Sequence, residues 1–253
     1  MAQVSRRAGI NGSALVRLLS RLTDIDVRES RQGTADQLSQ WFGWTDAISL
    51  SAALDGVAAS VPVAARASAS ASAEERECAR LRAALAKAIG EDTAFTAGKE
   101  RGQPPAAADF TPYRRRYVAQ QQAMETGIGP LRGRLRAMLA ARSPAMARLA
   151  AVDVVMEQVL AARERSLLST VPSLLEKHFK RLHLAAQADQ SDQARSSGAD
   201  APDEPPSGVQ PGEWLDVFRK DTQNVLLAEL DFRFQPVEGL LEALRTRQPE
   251  CHD

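Results

Sequence analysis

Apolar residues recur three and four positions apart along most of this chain, the spacing of a helix face. Leu15, Leu18, Leu19 and Leu22 predict a helix over Ala14–Thr23, with Ser13 as its N-cap. Thr34 reads as the cap of a second helix through Leu38, Trp41 and Phe42, which Gly43 breaks before a third over 45–54. Leu81, Leu85 and Ile89 mark a helix over 74–89, with Glu74, Glu75 and Glu77 in its first turn. The strongest pattern is Tyr117, Met124, Ile128, Leu131, Leu135 and Met138, a heptad-like seam opened by Asp109 or Thr111 as cap and Pro112 in the first turn. Gly127, Gly129 and Pro130 predict a kink or short break in it. Ser143-Pro144 starts the next helix, through Leu149, Val152, Met156, Val159 and Leu167. Val171-Pro172-Ser173 stops it, and 174–186 follows with Leu175, Phe179 and Leu182. Near the end, Trp214, Phe218 and Val225 mark a helix over 213–230, and a short one over 237–244 follows Pro236.

The fold class is therefore all-α, an antiparallel helical bundle with long flexible linkers. Five blocks result: an N-terminal helical block (11–59), an Ala/Ser/Pro linker carrying one helix (60–108), a central three-helix bundle (109–186), a disordered linker (187–212) and C-terminal helices (213–247). The linkers are assigned because 61–73 is alanine and serine, and 187–212 is rich in serine, aspartate, proline and glycine.

Composition supports this and narrows function. Aromatic residues are only 5%, too few for a large β core. Cys78 and Cys251 make neither a disulfide framework nor a zinc pattern. Neither a signal-like apolar run behind Arg6 and Arg7 nor a span of ~18 apolar residues is found. A cytoplasmic protein without direct membrane insertion is expected.

Little catalytic chemistry is legible. Gly98-Lys99-Glu100 lacks the glycine (Thr93) and the hydroxyl residue (Glu100) of a phosphate-binding loop. His178 and His183 lie about 140° apart on a helix, which is wrong for two ligands on one face. Glu157 and Glu164 read as a solvated face, and Asp153 sits among apolar neighbours. The expectation is no enzyme, no catalytic residues, no cofactor and no metal.

Two features are uneven. Residues 112–182 hold 13 lysines and arginines against 5 acids. Arg114, Arg115, Arg116, Arg132, Arg134 and Arg136 are candidate contacts to nucleic acid or an acidic partner, against a solvated bundle surface. Residues two apart point to different faces, so the last three make no single stripe. Trp41 and Trp44, three apart, read first as core packing and second as a protein interface, with Trp214 as a further interface candidate.

Three stretches carry a family resemblance. They are Leu15-Val16-Arg17-Leu18-Leu19 through Leu38-Ser39-Gln40-Trp41-Phe42-Gly43-Trp44-Thr45-Asp46-Ala47-Ile48, Tyr113-Arg114-Arg115-Arg116-Tyr117 through Gly129-Pro130-Leu131-Arg132, and Leu226 through Leu241 around Ala228-Glu229-Leu230-Asp231 and Gln235-Pro236-Val237. The chain resembles an uncharacterised proteobacterial family associated with type III Zorya-like anti-phage defence systems. That resemblance implies membrane-motor neighbours and a role as one of two soluble accessory components. It assigns no catalytic residue. The expected function is a non-enzymatic accessory subunit working by protein–protein contact. Its partners would be other defence subunits: the second soluble protein and the membrane motor. The alternative is a DNA-binding bundle that senses or holds invading nucleic acid through its arginines.

Overall fold

The computed structural model describes residues 13–23, 33–55, 67–95, 109–196 and 213–245. The described residues form eight α-helices and no strand. These are α1 (Ala14–Thr23), α2 (Thr34–Trp41), α3 (Trp44–Asp55), α4 (Ala67–Gly90), α5 (Thr111–Ala140), α6 (Pro144–Leu168), α7 (Val171–Ser196) and α8 (Glu213–Arg245). The predicted linker positions 24–31, 56–66, 96–108 and 197–212 lie outside the described residues, as do Arg6, Arg7, Gly98, Lys99, Cys251 and His252.

Helices α5 and α8 form the centre. The seam of α5 buries Tyr117, Gln121, Met124, Ile128, Leu131, Leu135 and Leu139. On α8 thirteen positions are buried, from Leu215 to Leu244, more than one stripe can hold. A helix apolar on several sides needs neighbours on several sides, and α8 packs against α1, α4, α5 and α7. Leu15 and Leu22 bring in α1; Cys78, Leu85 and Ile89 bring in α4; Val171, Leu175 and Phe179 bring in α7. One end of the bundle is closed by a cluster of rings packed edge-on and tilted: Phe218 lies 5.0 Å from Phe179 and 5.2 Å from Tyr113, and Phe110 lies 5.7 Å from Phe179. Helix α6 packs on α5 and carries α3 on its other side.

Several local signals act as expected. The Ser13 hydroxyl accepts the Val16 N–H at 3.4 Å, and Ser143 accepts that of Met146 at 3.3 Å behind Pro144. Others need correction. Helix α5 runs unbroken through Gly127, Gly129 and Pro130, and α8 through Pro236, so the two expected C-terminal helices are one. A mid-helix proline costs about 3 kcal/mol. Buried residues flank each proline in register (Ile128 and Leu131, Phe234 and Val237), and their packing outweighs that cost. Gly127 serves a close approach instead: a Cβ there would lie 3.1 Å from Leu81 of α4.

The first helical residue of α2 is Thr34, with Gly33 as N-cap, so Thr34 does not cap it. Phe110 holds the N-cap position of α5, and Asp109 accepts the Thr111 N–H at 2.8 Å just outside the helix. Pro172 ends no helix; it stands in the first turn of α7. Two linker segments are partly helical. Residues 67–73 extend α4 backwards and 187–196 extend α7 forwards. Alanine, glutamine and arginine favour helix once a packed neighbour has nucleated it. No helix among the described residues is long and apolar enough to cross a membrane.

Candidate functional site

Where α5, α6 and α8 meet, the core turns polar. Glu229 of α8 is fully buried. Its carboxylate accepts from the Tyr117 hydroxyl at 2.6 Å, from Gln121 Nε2 at 3.0 and 3.2 Å, and from Arg233 Nε at 2.9 Å. Tyr117 and Gln121 stand one turn apart on α5, as Glu229 and Arg233 do on α8, so two rows of side chains face each other. Burial first, then the Glu229 charge, pushes the Tyr117 phenol well above its ordinary pKa and keeps it a donor. Gln121 also donates to the Leu168 carbonyl at 3.1 Å. That bond satisfies one of the acceptors left open at the end of α6.

Arg233 also reaches Glu125 at 3.3 Å and Glu164 at 3.8 Å. These residues floor an open cleft of about 370 Å³ with apolar walls from Met124, Ile128, Met156, Leu160, Phe232 and Pro236. Burial pushes the Glu164 carboxyl above its usual range, against the pull of Arg233 and Arg132.

A second ionic lattice borders the cleft. Arg132 and Arg136 are four apart on α5; Asp153 and Glu157 are four apart on α6. Arg132 grips Asp153 with two hydrogen bonds, Nη2 at 2.6 Å and Nε at 2.9 Å, and meets Glu157 at 3.3 Å. Arg136 lies 2.6 Å from Asp153 and 2.7 Å from Glu157. Burial pushes the Asp153 carboxyl up, but the hydrogen bonds and charges of both arginines outweigh it and hold it below its usual value.

A further titratable pair joins the buried His178 to the half-buried Asp221. A guanidinium only donates, so Arg181 gives a hydrogen to His178 Nδ1 at 3.1 Å, and Nε2–H donates to Asp221 at 2.8 Å. Both ring nitrogens are engaged by side chains of the protein. The same Arg181 Nη2 donates to the Leu22 carbonyl at 2.7 Å and ties α1 to α7. Among the described residues there is no group of three or more His, Cys, Asp or Glu side chains placed to hold a metal ion.

A family model described as "Protein of unknown function (DUF3348)" matches residues 1–246 of this chain. The chain belongs to that family. No curated protein and no solved structure matches it.

In this DUF3348 chain the sequence-predicted site residues scatter. Arg132 and Arg136 point inward, only 13% and 15% exposed, and cross-link α5 to α6. Arg134 points the other way, to Glu74 at 3.3 Å. Arg114, Arg115 and Arg116 remain exposed on the first turns of α5, with long pairs of 3.9 Å from Arg114 to Glu176 and from Arg116 to Asp92. Glu157 and Glu164 are ion-pair partners rather than a solvated face: Glu157 meets Arg132 and Arg136, and Glu164 lies 3.8 Å from Arg233. Trp214 covers the ring cluster, 5.2 Å from Phe179 and 5.0 Å from His183. Trp41 is half-buried, with the Arg163 guanidinium 4.4 Å from its ring centroid. Trp44 is 84% exposed, so it does not pack in the core. The structure adds Tyr117, Gln121, Glu229 and Arg233 as a unit. The signal for it was a polar residue in an apolar seam: Gln121 falls between Tyr117 and Met124 at spacings of four and three.

Proposed function

We propose that this protein is a non-enzymatic accessory subunit of a membrane-motor anti-phage defence system of the Zorya-like type, acting in the cytoplasm by contact with other defence subunits. One observation carries the interaction part: α3 presents Trp44, Ile48 and Leu54 to solvent at 84%, 57% and 54% exposure. Large apolar side chains gathered on one exposed face mark an interaction site. The interior favours a structural role, since Glu229, Arg233, Asp153 and His178 are each held by protein partners. The defence context rests on the family resemblance.

The test is affinity purification from cells that also express the neighbouring genes, with nuclease added to one half. Stable protein partners in both halves are expected. Purification alone, with every neighbour present, would overturn the reading.

The second reading, DNA binding, is favoured by the exposed run Arg114, Arg115 and Arg116. Arg132 and Arg136 drop out of it. Replacing the three exposed arginines with alanine is then expected to weaken DNA binding and flatten its salt dependence.

A further inference from the structure

We propose that α3 and α6 form a limb held to the bundle by a charged clamp, and that this limb opens and closes as one unit while the rest of the bundle stays folded. The inference goes beyond the interaction reading above and does not depend on it.

The apolar core runs without a break through α1, α4, α5, α7 and α8, and none of the described residues of α2 or α3 belongs to it. Helix α6 enters that core near its ends, with Met146 and Ala150 in its first two turns and Leu168 as its last residue. Along 151–167 Val155 alone is buried, and it lies outside the core. What joins this stretch to α5 is the clamp of Arg132 and Arg136 on Asp153 and Glu157. Toward α8 the same stretch faces the open cleft, where Glu164 stands 3.8 Å from Arg233. Helix α3 packs on α6 without burying any of its own residues. Trp41, just ahead of α3, sits against the Arg163 guanidinium of α6 at 4.4 Å. The contacts of α3 therefore follow α6 if α6 moves.

The chemistry of the clamp sets how it opens. Exposing an apolar core costs free energy in proportion to its area. An ion pair differs, because the attraction between its partners is offset by the desolvation of both. Once separated, the charged groups regain in water most of what they lose. An interface held by four charged side chains and few apolar ones therefore opens at a lower free energy than the seam between α5 and α8. Opening widens the cleft and brings the guanidiniums of Arg132 and Arg136, 13% and 15% exposed when closed, into water. Helices away from their packing are marginal in water, so the backbone amides of the open limb exchange with solvent.

Amide hydrogen exchange of the full chain, read by mass spectrometry at neutral pH, tests this. Residues 44–55 and 152–165 are expected to share one level of protection, at least about tenfold below that of the buried stretch 222–241 of α8. Asp153→Asn removes a countercharge from both arginines in the closed form alone. It is expected to speed exchange in the two segments together, by about tenfold or more. Glu157→Gln, a milder change in the same clamp, is expected to act in the same direction to a lesser degree. Residues 222–241 are expected to keep their wild-type rates in both variants. Wild-type protection of 152–165 equal to that of 222–241 would overturn the proposal, as would 44–55 exchanging at a rate of its own. So would Asp153→Asn speeding every helix alike, or speeding 152–165 while 44–55 stays unchanged.

Discussion

The α5–α6–α8 junction and the outer face of α3 exchange the roles that residue type assigns them. At the junction, charged side chains lie inside: Glu229 is fully buried, and Arg132, Arg136 and Arg233 are at most 15% exposed. On α3, apolar side chains lie outside, with Trp44 the most exposed large hydrophobic residue described. A tally of arginines therefore overstates the basic surface of this protein, and a tally of tryptophans overstates its core. Burying charge is worthwhile only where each group is paired and hydrogen-bonded, and the two-row geometry of α5 against α6 and α8 supplies that. Exposing tryptophan costs the monomer nothing comparable, since much of any folded surface is apolar.

The junction is the place to break this contrast most severely. Glu229→Ala leaves Tyr117, Gln121 and Arg233 without their acceptor, and a loss of about 3–5 kcal/mol in urea unfolding is expected. Asp153→Asn is next, at about 1–3 kcal/mol, because two arginines lose one of their two countercharges and keep Glu157. It also carries a pH signature. The folded carboxyl titrates below its unfolded value, so its contribution is present above the unfolded pKa, near 4, and is lost as pH falls through the folded pKa. Removing Asp153 is expected to flatten the acid limb of the stability curve.

Glu164 behaves in the opposite sense. Its folded carboxyl titrates above its unfolded value, so ionising it opposes folding at neutral pH, and that penalty fades as pH falls through the folded pKa. Glu164→Gln is expected to raise the unfolding midpoint at pH 7 and to lose that advantage in acid. The smallest change is Gly133→Ala. A Cβ at this exposed position of α5 meets nothing within 4 Å, and a gain of about 0.5–1 kcal/mol in urea unfolding is expected.

Helix-level features were largely legible because they are local. The bounds of α1, the caps Ser13 and Ser143, and the seam from Tyr117 to Leu135 follow from neighbours a few residues away. What failed depends on neighbours far along the chain. Pro130 and Pro236 read as breaks because the packing that overrides them comes from other helices. The spacing of four between Arg132 and Arg136, and between Asp153 and Glu157, was visible, but the facing of α5 and α6 that pairs them was not. Trp44 read first as core because residue type does not tell which side of α3 meets α6. Gln121 and Glu229 each interrupt an apolar pattern, and that interruption was the one sign of the buried network.

Urea unfolding of Arg132→Ala and Trp44→Ala, measured side by side with wild type, tests this inversion most directly. With the arginine inside and the tryptophan outside, Arg132→Ala is expected to lose about 3 kcal/mol and Trp44→Ala to stay within about 0.5 kcal/mol of wild type. A Trp44→Ala loss of about 3–5 kcal/mol, the cost of emptying a tryptophan site in a core, together with an unchanged Arg132→Ala, would contradict the account.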